Sequence, residues 1–511
     1  MTETRPSPAP LDGLARLDAA CCAELRRRLA EVGFTSALIA EADAFFPGVL
    51  RGPRLPLIRW WLERRAETGA TLARLFLYDD TLAVETARES LTRALFDRLV
   101  EAGVLAVTAE GGVRAAFLLY PWFDGLLVLA DNLGSGADAV MGPSAGTEHL
   151  ARMLPAGSPR SALDLGCGAG SLALFAARRG AARSVGVDLN PRANEIAKFN
   201  ARLNALDVQF VAGDVAAPVD GDTFGGPFDL VLSQPPFVAR PPAQGPRTFL
   251  HGGERGDELP LRFMATAARV LAPGGRAMIL VQAPESDDAA GTLMERIQGA
   301  LADSRAHVLS IVGDGPAPAI QAAAFASVED PGLGERYAAT ARSYLDHFRA
   351  LGVRAMTGGL VVLSRPAPAL DDGRRYALAL GVARVYYDGA TLEQFLRGLD
   401  LVEGRAEAVE GARLRVSSHA RIAQEATAAG DAPEAQAVIR VVPPSIGTEL
   451  RVGLDDLRVL EAVDAAESVG AALDALGRSR PTAATTTPGA AREDLLAFIR
   501  RALLHGALVR P

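Results

Sequence analysis

Near the middle of the chain runs Ala162-Leu-Asp-Leu-Gly-Cys-Gly-Ala-Gly170, and the apolar segment Ser171–Arg179 follows it directly. The apolar residues up to Leu165 predict a buried strand, and the segment after Gly170 predicts a helix. The glycines between them let the backbone turn tightly and let a ligand approach closer than any side chain would permit. A strand, a glycine turn and a helix in this order predict a nucleotide site, although several kinds of nucleotide-binding fold use such a loop.

Strand and helix patterns alternate from this region to about Arg365, which indicates an α/β domain with a mostly parallel sheet. We therefore predict a Rossmann-like domain with a seven-stranded sheet over residues 136–366. The predicted strands are Ala162–Leu165, Ser184–Val187, Val208–Val211, Asp229–Leu232, Arg276–Val281, His307–Val312 and Gly359–Leu363.

The flanking segments predict two further domains, as expected for 511 residues. Residues 1–135 are predicted to be mostly helical and to end in a hairpin, Val104–Val107 and Val113–Leu119, a combination that resembles a winged-helix module. A substrate-selecting or packing role is favoured for it over nucleic-acid binding. Residues 367–511 begin with a linker and predict a small α+β accessory domain with an amphipathic C-terminal helix around Leu495–Leu504, to which no motif assigns a role.

Composition narrows the classes of protein. With 49% hydrophobic and 22% charged residues the chain should fold, and its net charge of −8 disfavours a partner bound mainly through phosphates. The three cysteines, Cys21, Cys22 and Cys167, form neither a disulfide framework nor a metal pair, so no metal is predicted. The N-terminus lacks the apolar core of a secretory signal, and no segment approaches the roughly 20 apolar residues of a membrane helix. We expect no membrane partner and a cytoplasmic location, and the oligomeric state stays open.

Two carboxylates follow the glycine turn at the ends of predicted strands. Asp188 closes the second strand at about the distance where a Rossmann fold places its ribose-binding acid, and Asp214 follows the third strand, where it could bond the adenine amino group. Asn190-Pro191 then predicts the start of the next helix. The predicted cofactor-binding residues are Asp164, Gly166, Cys167, Gly168, Gly170, Asp188, Leu189, Asp214, Val215 and Ser233.

These residues, with a later Pro-Pro-aromatic element, resemble class I methyltransferases that use S-adenosylmethionine (SAM). The resemblance covers roughly residues 142–365 and implies that Asp164 lies near the methionine amino group of SAM and that Asp188 holds its ribose. A dinucleotide dehydrogenase is the main competing interpretation, but it gives no reason for the Pro-Pro element.

Ser233-Gln-Pro-Pro-Phe237 is that element. Two consecutive prolines fix the backbone and aim the preceding groups toward the cleft. It resembles the Asn-Pro-Pro-aromatic motif of N-methyltransferases that act on amide and exocyclic amino groups, including release-factor glutamine methyltransferases. That resemblance implies an acceptor site formed by Ser233, Gln234, Pro235, Pro236 and Phe237. The sequence departs from the motif at Gln234, whose extra methylene displaces the amide, so that Ser233 and the Gln234 main-chain carbonyl are alternative acceptor-binding groups.

Two neighbouring loops add candidates. His251, Glu254 and Arg255 stand in a glycine-rich loop that either contacts substrate or lies on the surface. Gly142–Thr147 predicts either a lip over the cofactor or a helix N-cap at Ser144 or Thr147. Trp60, Trp61 and Trp122 are more simply core residues than a platform for bases.

Three functions remain open on the sequence. The first is N-methylation of a protein, peptide or small metabolite. The second is methylation of RNA or DNA amino groups, guided by the basic segment that contains Arg51, Arg54, Arg59, Arg64 and Arg65. The third is SAM binding without turnover, as in an interaction or regulatory protein.

Overall fold

The computed structural model describes residues 8–45, 51–132, 136–154, 157–217, 222–286, 291–330, 333–371, 373, 375–381, 388–402, 404–426, 435–442, 446, 448–479 and 488–511. Across these ranges, every helix is too short or too polar to cross a lipid bilayer.

The N-terminal part is mostly helical, as predicted. Its elements are α1 (Ala19–Glu31), α2 (Ser36–Phe45), α3 (Arg51–Glu63), α4 (Thr68–Phe76), β1 (Leu82–Ala83), α5 (Val84–Leu91), α6 (Arg93–Glu101), β2 (Leu105–Val107), β3 (Gly112–Ala115), β4 (Leu118–Pro121) and β5 (Leu127–Ala130). Strands β1, β3 and β2 form an antiparallel sheet in that order, and β4 pairs with β5.

The predicted hairpin is present, but its second strand is shorter than the sequence pattern indicates. The strand predicted to run from Val113 to Leu119 ends at Ala115, and Leu118 already belongs to β4. The Ala116 N–H closes the first hairpin by donating to the Val104 carbonyl. Residues on either side of this break therefore serve two different sheets.

The central part is an α/β layer structure. Its elements are α7 (Ala145–Met153), β6 (Ser161–Leu165), α8 (Ser171–Arg178), β7 (Arg183–Asp188), α9 (Pro191–Asn204), β8 (Gln209–Ala212), β9 (Phe228–Ser233), β10 (Val238–Ala239), β11 (His251–Gly253), α10 (Glu258–Val270), β12 (Leu271–Ser286), α11 (Leu293–Ala300), β13 (His307–Asp314), α12 (Pro318–Glu329), α13 (Glu335–Ala350), β14 (Val353–Ser364) and β15 (Ala377–Gly381).

The main sheet contains all seven predicted strands and one more. Its order is β15-β13-β14-β12-β9-β6-β7-β8, and β14 runs antiparallel to both of its neighbours. The prediction of seven strands was wrong by one, because Ala377–Gly381 adds to the edge of the sheet parallel to β13. The sheet therefore takes in residues beyond 366, where we predicted the central domain to end.

Alternate residues of the strands pack into two apolar cores, one on each face of the sheet. Leu163 and Leu165 belong to the core that includes Phe263 of α10, whereas Ala162 faces the core that includes helices α8 and α9. This alternation follows from the two-residue period of a strand. Helices thus cover both faces, as in other α/β folds with a mostly parallel sheet.

Two asparagine side chains of α9 join the N-terminal part to the central part. Asn204 accepts a hydrogen bond from the Leu127 N–H at 2.9 Å and donates to the Leu127 carbonyl at 2.7 Å. Asn200, one helical turn earlier, does the same with Leu129 at 2.9 and 2.8 Å. The two amides take the place of a neighbouring strand along β5. Nearby, the Arg192 guanidinium forms a two-pronged ion pair with the buried Asp131 carboxylate.

The C-terminal part is α+β, as predicted. Its elements are α14 (Gly389–Val402), α15 (Ala406–Gly411), β16 (Arg415–Val416), β17 (Ala420–Ala426), β18 (Ala435–Val441), β19 (Glu449–Gly453), α16 (Leu454–Ala465), α17 (Val469–Ser479), α18 (Pro488–Leu504) and β20 (Leu508–Val509). The predicted amphipathic helix corresponds to α18. Arg276 of β12 ties this part to the main sheet by ion pairs with Glu393 and Asp400 of α14.

We predict that Asn204→Ala lowers the free energy of unfolding by about 2–4 kcal/mol, because it leaves the buried N–H and carbonyl of Leu127 without partners. Urea unfolding followed by circular dichroism measures this change. Glu195→Ala, on the exposed face of the same helix, is the matched control and should change stability by less than about 0.5 kcal/mol. Equal effects of the two substitutions would contradict the assigned role of Asn204.

Candidate active site

The register of the parallel strands brings four loops to one edge of the sheet. Leu165 of β6 is paired with Val187 of β7 and with Ser233 of β9, and Asp188 is paired with Ala212 of β8. These strands end at the same level, so the loops after them lie side by side. Open α/β sheets bind ligands at this carboxyl edge.

The glycine turn after β6 is held against β7 by main-chain and carboxylate hydrogen bonds. The N–H groups of Gly166 and Cys167 donate to the Val187 carbonyl at 2.8 and 3.0 Å. The Gly168 N–H donates to the Asp188 carboxylate at 2.8 Å. Gly166 and Gly168 have φ values of +70° and +51°, in the left-handed region that glycine adopts without steric cost. The shape of the turn is therefore set by its hydrogen bonds to Val187 and Asp188 and by the left-handed conformations of Gly166 and Gly168.

A cavity of about 820 Å³ opens over this edge. Most of the predicted site residues line it, namely Asp164, Gly166, Cys167, Gly168, Asp188, Leu189, Asp214, Val215, Gln234, Pro235, Pro236 and Phe237. Its volume lies within the range of about 300–1,000 Å³ that is usual for cofactor and small-molecule sites. The residues predicted from the sequence therefore come from four separate loops and meet at one cavity.

Gly170 and Ser233, also predicted to bind the cofactor, do not line the cavity. Gly170 begins α8, and a Cβ there would lie 2.8 Å from the Phe210 ring, so this glycine serves helix packing. Ser233 is fully buried, and its hydroxyl donates to the Leu165 carbonyl at 2.7 Å. Both residues hold the strands and helix together beneath the site, a role that the motif alone does not distinguish from ligand contact.

Burial governs the ionisation of the two acids closest to the turn. Desolvation raises the pKa of Asp164 to about 7, against a hydrogen bond from the Ala173 N–H and with a further contribution from the charge of Asp188. Burial also raises the pKa of Asp188, although the Asn190 and Gly168 N–H groups that donate to it oppose the shift. A cationic ligand group beside either carboxylate would favour its charged form.

The outer wall of this part of the cavity is formed by Leu189 and Asp214. Leu189 is 62% exposed, which is unusual for a large apolar side chain and leaves it open to a flat ligand. The Asp214 carboxylate accepts the Ala216 N–H at 2.9 Å and faces solvent. An apolar surface beside a hydrogen-bond acceptor suits a base with an amino group.

The Gln234 side chain is bound to the segment before α7. Its carbonyl oxygen accepts hydrogen bonds from the hydroxyls of Thr147 at 2.7 Å and Ser144 at 3.2 Å, and its Nε2 lies 3.0 Å from the Ser144 oxygen. Ser144 and Thr147 also form the capping box of α7. A Cβ at Gly146 would lie 2.9 Å from Gln234 Nε2, so this glycine makes room for the amide. The predicted helix cap of Gly142–Thr147 is confirmed, and most of this segment also lines the cavity, whereas its role as a lip over the cofactor stays a prediction.

On the other side of the Pro-Pro turn, a buried hydrogen-bonded ring was not foreseen from the sequence. His251 Nδ1 accepts the Arg247 N–H at 3.0 Å, and its Nε2 lies 3.1 Å from the Tyr344 hydroxyl. Tyr344 donates to the Glu329 carboxylate, which forms an ion pair with the Arg247 guanidinium at 3.5 Å. Burial and the Glu329 charge raise the pKa of Tyr344, so it stays protonated. Directly bonded residues of this ring are up to 93 positions apart, and no local pattern indicates such a contact.

His251 lines the cavity, whereas Glu254 and Arg255 do not. The Glu254 carbonyl instead accepts a hydrogen bond from His347, and Arg255 forms an ion pair with Asp257. Of the three candidates in the glycine-rich loop, one faces the cavity and two hold the loop in place. Among the described residues no cluster of three or more histidine, cysteine or acidic side chains could hold a metal ion.

The described arginines of the basic N-terminal segment bind to groups of their own chain, and two of them are paired with carboxylates. Arg54 forms an ion pair with Asp43, and Arg65 forms ion pairs with Glu41 and Glu67. Arg59 donates to the carbonyls of Tyr78 and Asp79, and Arg64 stacks on the exposed Trp60 ring at 4.0 Å. The side chain of Arg51 lies outside the described residues. Trp122 is buried and packs against Phe123 and Phe175, as expected for a core residue. The same expectation was wrong for Trp60, which is 48% exposed.

Comparison with known proteins places the cavity in a recognised kind of domain. Residues 141–302 match the family model "Methyltransferase small domain". A Methanocaldococcus jannaschii protein, provisionally named as a protein N5-glutamine methyltransferase, is 33% identical over 125 residues, which are 24% of this chain and 61% of that protein. The release factor glutamine methyltransferase of Deinococcus radiodurans is 36% identical over 126 residues, 23% of this chain and 44% of that protein.

The ribosomal protein L11 methyltransferase of Deinococcus radiodurans is 40% identical over 78 residues, 15% of this chain and 29% of that protein. The chain thus spans less than two thirds of the length of each of these relatives. The residues that the family model matches include the glycine turn, Asp164 and Asp188. The part of the chain that carries the glycine turn and the Pro-Pro turn is therefore similar to a methyltransferase domain.

Proposed function

We propose that the chain is a SAM-dependent N-methyltransferase that acts in the cytoplasm on a side-chain amide of a protein, with glutamine as the acceptor residue. The observation that supports this best is the Gln234-Pro-Pro-Phe237 turn on the same cavity as the glycine turn and Asp188. The relatives named as glutamine and ribosomal-protein methyltransferases support a protein acceptor.

In this proposal each cofactor-binding residue contacts the part of SAM that suits its chemistry. Asp188 accepts hydrogen bonds from the ribose hydroxyls, Asp164 faces the cationic amino group, and Leu189 with Asp214 bounds the adenine. Gly166 and Gly168 leave space where a side chain would stand. SAM supplies an electrophilic methyl group, so the protein has chiefly to align the acceptor nitrogen and to exclude water.

Gln234 acts in this proposal mainly as a positioning residue. Its side-chain oxygen already accepts two hydroxyl hydrogen bonds, so it is less suited to bind the acceptor NH2 than the shorter asparagine of the related motif. The main-chain carbonyl of Gln234, aimed by the two prolines that follow, takes that role. Phe237 packs beside the planar amide.

We further propose that residues 1–135 select the substrate, that residues 136–366 carry the reaction and that residues 367–511 are accessory. The order α4, β1, α5, α6, β2, β3, with its three-stranded antiparallel sheet, supports a winged-helix-like arrangement in the N-terminal domain. The ion pairs of Arg54 and Arg65 reduce the positive charge that this domain offers to a nucleic-acid backbone, which supports a protein substrate.

We predict that the purified protein binds SAM but not NAD and that Asp188→Ala weakens SAM binding about tenfold to a hundredfold. Loss of a charged acceptor for two ribose hydroxyls accounts for this range. Calorimetric titration measures both ligands. Asp229→Ala, which removes a carboxylate that bonds Ser161 outside the cavity, is the control. Preference for NAD would contradict the proposal and indicate a dinucleotide dehydrogenase.

We predict that the affinity for SAM rises about fivefold to tenfold between pH 6 and pH 7.5. With a pKa of about 7, Asp164 is mostly neutral at the lower pH and mostly charged at the higher, and only the charged form attracts the SAM amino group. Asp164→Asn should flatten this profile. A wild-type profile that does not change over this range would contradict the assigned position of the amino group.

We predict that the protein transfers labelled methyl groups from SAM to protease-sensitive, nuclease-resistant material in a cell extract, and that peptide mass spectrometry finds the methyl group on a glutamine amide. Gln234→Ala should abolish transfer while SAM binding is retained, because the Pro-Pro turn loses its side-chain hydrogen bonds to Ser144 and Thr147. Thr147→Val should lower kcat about tenfold by releasing the same amide.

Glu148→Gln, on the same helix but off the cavity, is the control for Thr147→Val and should keep full activity. Label found only in nuclease-sensitive material would replace the protein substrate with a nucleic acid. SAM binding without transfer to any fraction would favour the non-catalytic alternative.

A further inference from the structure

Arg247 is a buried cation on the wall of the cavity that the SAM-binding residues do not use. Its side chain is only 3% exposed, yet it lines the cavity together with Phe249 and Phe325. It lies close to the Pro-Pro turn, because Val238 of β10 is paired with His251 of β11 and the Val238 N–H donates to the Leu250 carbonyl. Arg247 therefore belongs to the acceptor side of the cavity.

One nitrogen of this guanidinium has no hydrogen-bond partner among the described residues. Nε faces the Glu329 carboxylate at 3.5 Å and Nη2 donates to the Glu329 carbonyl at 3.3 Å, whereas Nη1 is buried and unpaired. Buried polar groups are nearly always hydrogen-bonded, so such an exception calls for a partner. Because Arg247 lines the cavity, a substrate atom in the cavity is a candidate partner for this nitrogen.

The surroundings of Arg247 define the charge of that atom. Glu329 already neutralises the guanidinium, and Tyr344 and His251 complete the ring around the carboxylate. A second carboxylate brought to Nη1 would lie close to the negative charge of Glu329, which is unfavourable. An uncharged carbonyl oxygen needs only the hydrogen bond. The walls beside it, Phe249 and Phe325, also favour a neutral group.

We propose that Arg247 Nη1 donates a hydrogen bond to the carbonyl oxygen of the acceptor amide and so makes the site selective for a carboxamide over an amine or a carboxylate. The inference rests on the proposed function, since it assigns the second atom of the same amide. Arg247 is then a specificity residue, and the ring of His251, Tyr344 and Glu329 fixes its position.

The test measures binding of three capped tripeptides to the full-length protein saturated with S-adenosylhomocysteine. Acetyl-Gly-Gln-Gly-dimethylamide presents one primary carboxamide, on the glutamine side chain; its ornithine analogue replaces that group with an amine, and its glutamate analogue replaces it with a carboxylate. Calorimetry or ligand-observed NMR gives the three dissociation constants. We expect the glutamine peptide to bind at least about tenfold more tightly than either analogue, because each analogue leaves Nη1 unpaired or adds a buried charge.

Arg247→Met should remove this preference and bring the three constants within about threefold of one another, and Arg247→Lys should restore part of it. Arg296→Met is the matched control, because Arg296 is a buried, ion-paired arginine away from the cavity, and it should keep the full preference. Melting temperature and S-adenosylhomocysteine affinity, measured on each variant, verify the fold. The wild-type comparison stands even if Arg247→Met does not fold.

Equal binding of the three peptides by the wild type, binding of none of them, or a tighter complex with the glutamate analogue would overturn the inference. So would a carboxamide preference that survives in folded Arg247→Met. Methyl transfer to the glutamine peptide, followed separately, tests the proposed function. Selective binding without transfer would support the carboxamide site and contradict the proposed reaction. Transfer without selectivity would support the reaction and contradict the carboxamide site.

Discussion

The common level at which β6, β7 and β9 end is the constraint on which the site depends. Pairing of Leu165 with both Val187 and Ser233 sets the glycine turn, Asp188 and the Pro-Pro turn along one edge. Short cross-links then lock this register, from the Ser233 hydroxyl to the Leu165 carbonyl and from the glycine turn to the Val187 carbonyl. A slip of one residue would turn every side chain to the opposite face of the sheet. The buried residues beneath the cavity are therefore as necessary to it as those that line it.

The Gln234 contacts explain how this long side chain is accommodated at the Pro-Pro turn. Its amide reaches past the turn to the hydroxyls that cap α7, and Gly146 leaves the space for it. The cofactor lip and the acceptor turn are thus connected by one side chain. This connection ties two parts of the site that lie 87 residues apart in the sequence.

The acceptor side depends on an element inserted between the last two long strands of the sheet. Helices α12 and α13 lie between β13 and β14, and they supply Glu329 and Tyr344 to the ring that holds Arg247. The cofactor side, by contrast, is made almost wholly from the loops that follow β6, β7 and β8. The match to the methyltransferase family ends at residue 302, before this insertion begins. The relatives therefore give the least information about how this chain recognises its substrate.

The local sequence determined the parts whose cause is local. Short apolar segments between helix patterns predicted the seven strands, Asn190-Pro191 predicted the start of α9, and glycine with strand-end acids predicted residues that line the cavity. Tertiary structure decided the rest. The eighth strand, the break after Ala115, the burial of Ser233 and the Arg247 ring all depend on pairing between distant residues. A periodic pattern reports which face of an element is apolar, but a hydrogen bond between side chains depends on where two elements meet, and only the folded chain sets that distance.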